Sequence, residues 1–335
     1  MLQFFSRRHF NLALIIIVLF FIVLHALSSP SGMDNSTWSN GAPLAQLIYE
    51  LSLETWLRSK ILTIVISGLF IGFQILLVYR ITSLIKPLDK YSFLVAWIYL
   101  LTSYFFPECS NLTPALLAQT LLLVILYNFY KLNDLQKDGF MFTLSTLLSL
   151  AFLFWYPSIL LLPFIFVLLF QYNALSFRKI SITLLSFSIP VIWCVVYFYF
   201  TGQTTVLINQ WTSLHIYPPH MDALHHLQWI PIGIVLAYIG FGMIEAWTLT
   251  NKTSKNARLF ISSMFSLVFF LGLAFTLNSH QTIYSFQALL YPGALFIVLF
   301  INNFKRQRIS EIVHIILLLS VLFNFVFQNY YSWIV

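Results

Sequence analysis

Asp34 is the carboxylate best placed to act as a base. It lies in the turn-rich stretch Ser29-Pro30-Ser31-Gly32-Met33-Asp34-Asn35-Ser36, directly after an apolar run. A general base must come within hydrogen-bond reach of the hydroxyl it activates, and a loop beside a lipid-binding surface suits that task. The plainer role for the same residue is an Asx-turn, since Asp-Asn-Ser is ordinary turn composition. Arg58 and Lys60 have the chemistry of a phosphate site, the first as a planar fork and the second as a point charge. Snorkelling to headgroups at a helix end would use the same two side chains. Glu54 precedes Arg58 by four residues, the favourable order for a helical ion pair, and joins the substrate-binding set. A second segment carries Trp211, His215, Tyr217 and His220: rings that can stack on a substrate, and imidazoles that can hydrogen-bond to it. His220, His225 and His226 with Asp222 offer ligand types suited to zinc or iron. However, adjacent His225 and His226 cannot share a helix face, and no H-E-x-x-H pattern is present. No metal and no cofactor are therefore expected.

These residues need elements to hold them, and the elements are apolar. The chain of 335 residues is 60% hydrophobic and 8% charged, against roughly 25% charged in a soluble domain. Stretches near the ~20 residues needed to cross a bilayer recur at 10–28, 60–84, 91–106, 112–130, 139–156, 158–177, 180–201, 228–248, 258–277, 282–303 and 310–330. The spans 139–156 and 158–177 are separated only by Pro157 and read as a hairpin. The first stretch begins with basic residues as a signal peptide does, but it lacks an A-x-A-like site and is read as a retained helix. The expectation is an all-α, polytopic membrane helix bundle of about 11 transmembrane helices forming one domain over 1–335.

Charge orients the bundle. Of 17 Lys and Arg residues, all but Arg58 and Lys60 fall on one side if the N-terminus is cytoplasmic. Short basic loops stay inside, so the N-terminus and these basic clusters are expected on the cytoplasmic side of the membrane. The net charge of +7 is then explained by loop orientation, with no nucleic-acid partner implied. Two cysteines imply no disulfide framework. Glu245 and Glu311 lie near the inner helix ends, so no mid-membrane acid accompanies Pro163, Pro190, Pro231 or Pro292, which disfavours ion transport.

Two outer segments remain, 29–59 and 202–228. In the first, Leu44, Leu47, Ile48 and Leu51 recur at helical spacing opposite Gln46, Glu50, Glu54 and Arg58. Pro43 fits the first turn of a helix, and Trp56 sits nearby. An amphipathic interfacial helix over 43–58 is expected, lying on the outer leaflet. Six of the eight histidines, including His25 and His280, lie on or near the outer face.

In overall order the chain resembles a family of uncharacterised multi-span inner-membrane proteins of Bacteroidota. The resemblance is carried by the basic N-terminus and first span, by Tyr104-Phe105-Phe106-Pro107 closing the third span, by the helix from Thr113 to Tyr130, and by Phe154-Trp155-Tyr156-Pro157. More distantly it is similar to the integral-membrane glycosyltransferases of GT-C type that use polyprenyl-phosphate sugars. Those share an acidic first outer loop and interfacial helices ahead of a helical bundle. The resemblance puts Asp34 at the acid position and 43–58 at the interfacial helix. Such enzymes usually carry two acids there, and here Asn35 follows Asp34. The resemblance implies transfer of a sugar from a polyprenyl-phosphate donor on the periplasmic face, with membrane lipids as constant partners. Two other readings stand beside it. One is a non-catalytic scaffold or accessory subunit of an envelope-assembly or secretion system. The other is a metalloenzyme in which His25 and His280 converge with the 215–226 segment.

Overall fold

The computed structural model describes residues 42–48, 60–86, 88–103, 112–131, 138–212, 229–250, 253–274, 282–303 and 307–334. Apart from turns and short connections, these residues are helical, with no strand among them. The helices are α1 (Pro43–Ile48), α2 (Lys60–Ser83), α3 (Ser92–Ser103), α4 (Pro114–Lys131), α5 (Asp138–Phe154), α6 (Leu161–Gln171), α7 (Phe177–Phe200), α8 (Thr204–Thr212), α9 (Trp229–Thr250), α10 (Lys255–Ala274), α11 (Thr282–Asn303) and α12 (Gln307–Ile334). The first expected span, 10–28, lies outside the described residues. Nine of the other ten coincide with a helix to within a few residues; the sixth begins as a 3₁₀ turn over Tyr156–Leu160 ahead of α6 and ends at Gln171, six residues short of the expected 177.

Local chemistry sets the boundaries. α4 opens on Pro114, whose missing N–H costs nothing there, and Thr113 Oγ1 accepts from the Leu116 amide at 3.2 Å. α6 ends with Asn173 in the left-handed region at φ 52°, and Ala174 N–H reaches back to Leu169 O at 2.8 Å. α7 ends the same way: Gly202 takes φ 72° and Gln203 N–H donates to Phe198 O at 2.9 Å. Both are Schellman-type stops. Between α5 and α6, Trp155 is extended at φ −148°, with Pro157 in the following turn. That break makes the hairpin. At ~1.5 Å per residue, the 17 residues of α5 rise about 26 Å, slightly under the ~30 Å hydrocarbon core.

α11 is the central helix. It packs against α9, α3, α10, α12 and α4, and Leu289 through Leu299 are buried without interruption. α7 lies at the periphery, packing mainly on α5. Its outward face presents Leu185, Ile189, Ile192, Trp193 and Phe200, with Trp193 70% and Phe200 82% exposed. An apolar helix bare on most of its surface suits lipid as solvent. Among the described residues five helices (Leu62–Ser83, Pro114–Lys131, Phe177–Phe200, Ile230–Thr250 and Lys255–Ala274) are long and apolar enough to cross a membrane.

α1 differs from the expected surface helix. Its described part is one and a half turns long and docks against α5. Ala42, Pro43 and Ala45 are its buried residues, while Leu44, Leu47 and Ile48 are only half-buried. The small side chains let the backbone approach α5 closely, and Leu44 and Ile48 of the anticipated stripe pack beside them against the core.

Candidate functional site

Of the residues singled out in the sequence, Asp34, Glu54, Arg58, His215, Tyr217 and His220 lie outside the described residues. Lys60 opens α2, where its backbone alone is described. Trp211 is placed: it sits in the last turn of α8, half-buried. It packs on a small cluster of Ala42, Phe152, Leu153, Tyr156, Cys194, Phe198 and Leu207, which Leu44 also joins. The cluster has a clear origin. α5 and α7 run side by side and end together, so Phe152, Leu153 and Phe198 form a floor. Onto it settle the start of α1, from the first outer segment, and α8, from the second. The described ends of the two segments, Ala42 and Leu44 of the first and Leu207 and Trp211 of the second, therefore meet on one rim. Cys194 is a free thiol within this packing.

Beneath the rim is polar chemistry that sequence reading missed. Gln74, fully buried in α2, donates Nε2–H to Leu116 O at 3.1 Å and to Thr120 Oγ1 at 2.8 Å. Its Oε1 accepts from the Tyr99 hydroxyl at 2.7 Å. Thr120 in turn donates to Leu116 O at 2.8 Å. One amide thus ties together α2, α3 and α4. A buried polar group without partners is expensive, and here three hydrogen bonds satisfy the amide. The signal was available: a glutamine in the middle of a 24-residue apolar helix needs partners from neighbouring helices. Which helices supply them is a matter of packing, and no pattern in the sequence encodes it.

Next to this network lies a cavity of ≈ 40 Å³. Aliphatic side chains from α4, α5, α6 and α10 make most of its wall, among them Leu122, Leu148, Ile165 and Leu271. Tyr99, Gln119, Gln287 and Tyr291 also line it. Among the described residues no Asp, Glu, Lys, Arg or His borders the cavity, so its walls offer no carboxylate, ammonium or imidazole to act as acid or base. Further down the bundle Tyr130 hydrogen-bonds Ser263, and Gln171 Nε2–H donates to Ser266 Oγ at 2.9 Å. These fasten α4 and α6 to α10. At the opposite end of α7 from the rim, Arg178 pairs with Asp138 at the base of α5. Among the described residues no group of three His, Cys, Asp or Glu side chains is placed to hold a metal.

Comparison with family models, with curated proteins and with solved structures yields no match.

Proposed function

We propose that this chain is a multi-pass protein of the bacterial inner membrane, its N-terminus cytoplasmic, that transfers a sugar from a polyprenyl-phosphate donor at the periplasmic rim. The observation that carries this reading is the meeting of Ala42 and Leu44 with Leu207 and Trp211 in one cluster. It draws the segment bearing Asp34 and Arg58 toward the segment bearing His215, Tyr217 and His220. In this mechanism Arg58 and Lys60 hold the donor phosphate. Asp34 accepts the proton of the acceptor hydroxyl as its oxygen bonds to the anomeric carbon. The bond from that carbon to the phosphate oxygen breaks, and polyprenyl phosphate leaves with its charge held by Arg58 and Lys60. Trp211 and Tyr217 stack on the sugar, and Glu54 keeps Arg58 oriented through its i, i+4 spacing.

Native mass spectrometry of the protein drawn from its own membranes tests the donor. A retained polyprenyl-phosphate lipid, weakened by Arg58→Ala, is the expected result; bulk phospholipid alone counts against it. Asp34→Asn is expected to lower transfer by about 10²–10⁴-fold, the usual contribution of a general base. Full activity in that variant rules out the role for Asp34.

A second reading, a non-catalytic scaffold of an envelope-assembly machine, draws on the size of the cavity. A space of ≈ 40 Å³ takes about three water-sized groups and no sugar, so this cavity is not the donor site. A partner subunit retained in the same mass spectra favours the scaffold.

A further inference from the structure

We infer that the cavity between α3, α4, α5, α6, α10 and α11 is a dry binding site for one small nonpolar molecule, such as a xenon atom, dioxygen or a hydrocarbon of two or three carbons. Its lining and its size carry the inference. The space of ≈ 40 Å³ is walled almost entirely by carbon. The Tyr291 hydroxyl and the side-chain carbonyl oxygens of Gln119 and Gln287 have virtually no surface open to it. The Tyr99 hydroxyl is committed to Gln74 Oε1 at 2.7 Å, and Gln119 and Gln287 are engaged in interactions of their own. A buried water needs two to four polar partners, and this lining presents it with none. An ion would be uncompensated there.

A nonpolar guest loses no hydrogen bond on entry. Lining atoms that face a void lack dispersion partners on that side, and a guest restores those contacts. An engineered apolar cavity of about 150 Å³ lined by Leu, Ile and Phe stays dry and binds benzene or xenon. Here Leu148, Leu271, Ile125, Ile165 and Phe164 present the same kind of wall around a smaller space. At about 10–15 Å³ for each water-sized group, it holds about three heavy atoms of a guest. That admits dioxygen or propane and excludes a benzene ring. The solvent of an apolar bundle supplies such molecules, because nonpolar gases leave water for hydrocarbon as any apolar solute does. The site is separate from the rim, and it stands whether or not the chain transfers a sugar.

The test is a xenon titration of the full chain in detergent micelles, with isoleucine δ1 methyl groups labelled for NMR. Ile125 and Ile165 line the cavity. Ile189 and Ile192 lie on the exposed face of α7 and report on xenon dissolved in the micelle. Shifts at Ile125 and Ile165 that saturate with xenon pressure, against a linear response at Ile189 and Ile192, are the expected result. A linear response at all four overturns the proposal. Ala288 also lines the cavity, and Ala288→Leu adds three carbon atoms, about as much as the space holds. Loss of the saturable shift is expected in that variant, and its persistence in the folded variant overturns the assignment to this cavity. Where the variant does not fold, the wild-type titration decides by itself.

Discussion

Gln74 holds three helices together, and the strength of that tie is set by the solvent around the bundle. In water, orphaning the partners of a buried amide costs about 1–3 kcal/mol. In a membrane the separated helices find other partners, and measured couplings average about 0.6 kcal/mol with a maximum near 1.7. The lower scale applies, because α2 is apolar on all sides and presents Leu69 and Phe73 to lipid. A double-mutant cycle on Gln74→Leu and Tyr99→Phe is therefore expected to give a coupling of about 0.6–1.7 kcal/mol, read from unfolding in mixed micelles. A coupling of zero would mean that the 2.7 Å bond between them contributes nothing. At this scale the sequence was half legible. The presence of amides in apolar helices at Gln74, Gln119 and Gln287 can be read directly. Their depth and partners cannot, since they depend on which helices are neighbours.

α9 and α11 cross in close contact at Gly242. A Cβ added at Gly242 would stand 2.0 Å from Phe296 O and 2.4 Å from its carbonyl carbon. Both are backbone atoms, so no side-chain rotation can relieve the clash and the helices must part. Gly293 is a milder case, because its added Cβ meets the far end of Ile239 at 2.8 Å. Gly233 and Gly240 on the same α9 have nothing within 4 Å. Gly242→Ala is accordingly expected to lower the thermal midpoint or the yield of folded protein. Gly233→Ala and Gly240→Ala are expected to be neutral or to stabilise by about 0.5–1 kcal/mol, the helix preference of alanine over glycine. Equal behaviour of the three variants in thermal melts would refute this arrangement. Some helix ends were legible, because Gly202 and Pro157 act through local backbone geometry; Asn173 was passed over, and the expected sixth span runs to 177 where α6 ends at Gln171. The face of α1 was legible in part: Leu44 and Ile48 pack on the core as their spacing suggests, while Ala42 and Ala45 are enclosed because they are small, and hydropathy gives them little weight.

For the molecule as a whole, hydropathy marks the helices and says nothing of their arrangement. α11 and α7 are both runs of Leu, Ile, Val, Phe and aromatic residues, yet α11 is enclosed and α7 is bare. Lipid is as apolar as a leucine side chain, so a sequence does not distinguish burial against helices from burial against lipid. Ile189→Arg, on the bare face midway along α7, is expected to hinder membrane insertion by about 2.5–3.5 kcal/mol. The corresponding change at exposed Arg178 (to Lys) is expected to leave insertion intact, with glycosylation-based insertion assays as the readout. Orientation is a separate property, carried by charge in the connections. The pair Arg178 and Asp138 fixes the starts of α7 and α5 at one end of the bundle, and the rim cluster fixes their far ends at the other. Short basic loops remain cytoplasmic, so the Arg178 end is expected inside and the Trp211 rim outside. Single cysteines replacing Lys86, Lys131 or Ser176, in a chain with Cys109 and Cys194 changed to serine, should react with a membrane-impermeant maleimide only after the inner membrane is opened. A cysteine at Thr201, exposed at the end of α7, should react in cells whose inner membrane is intact. Reversal of the two sets would turn the bundle over, placing the rim that carries Trp211 in the cytoplasm and removing polyprenyl-phosphate sugars of the periplasmic leaflet as its substrates.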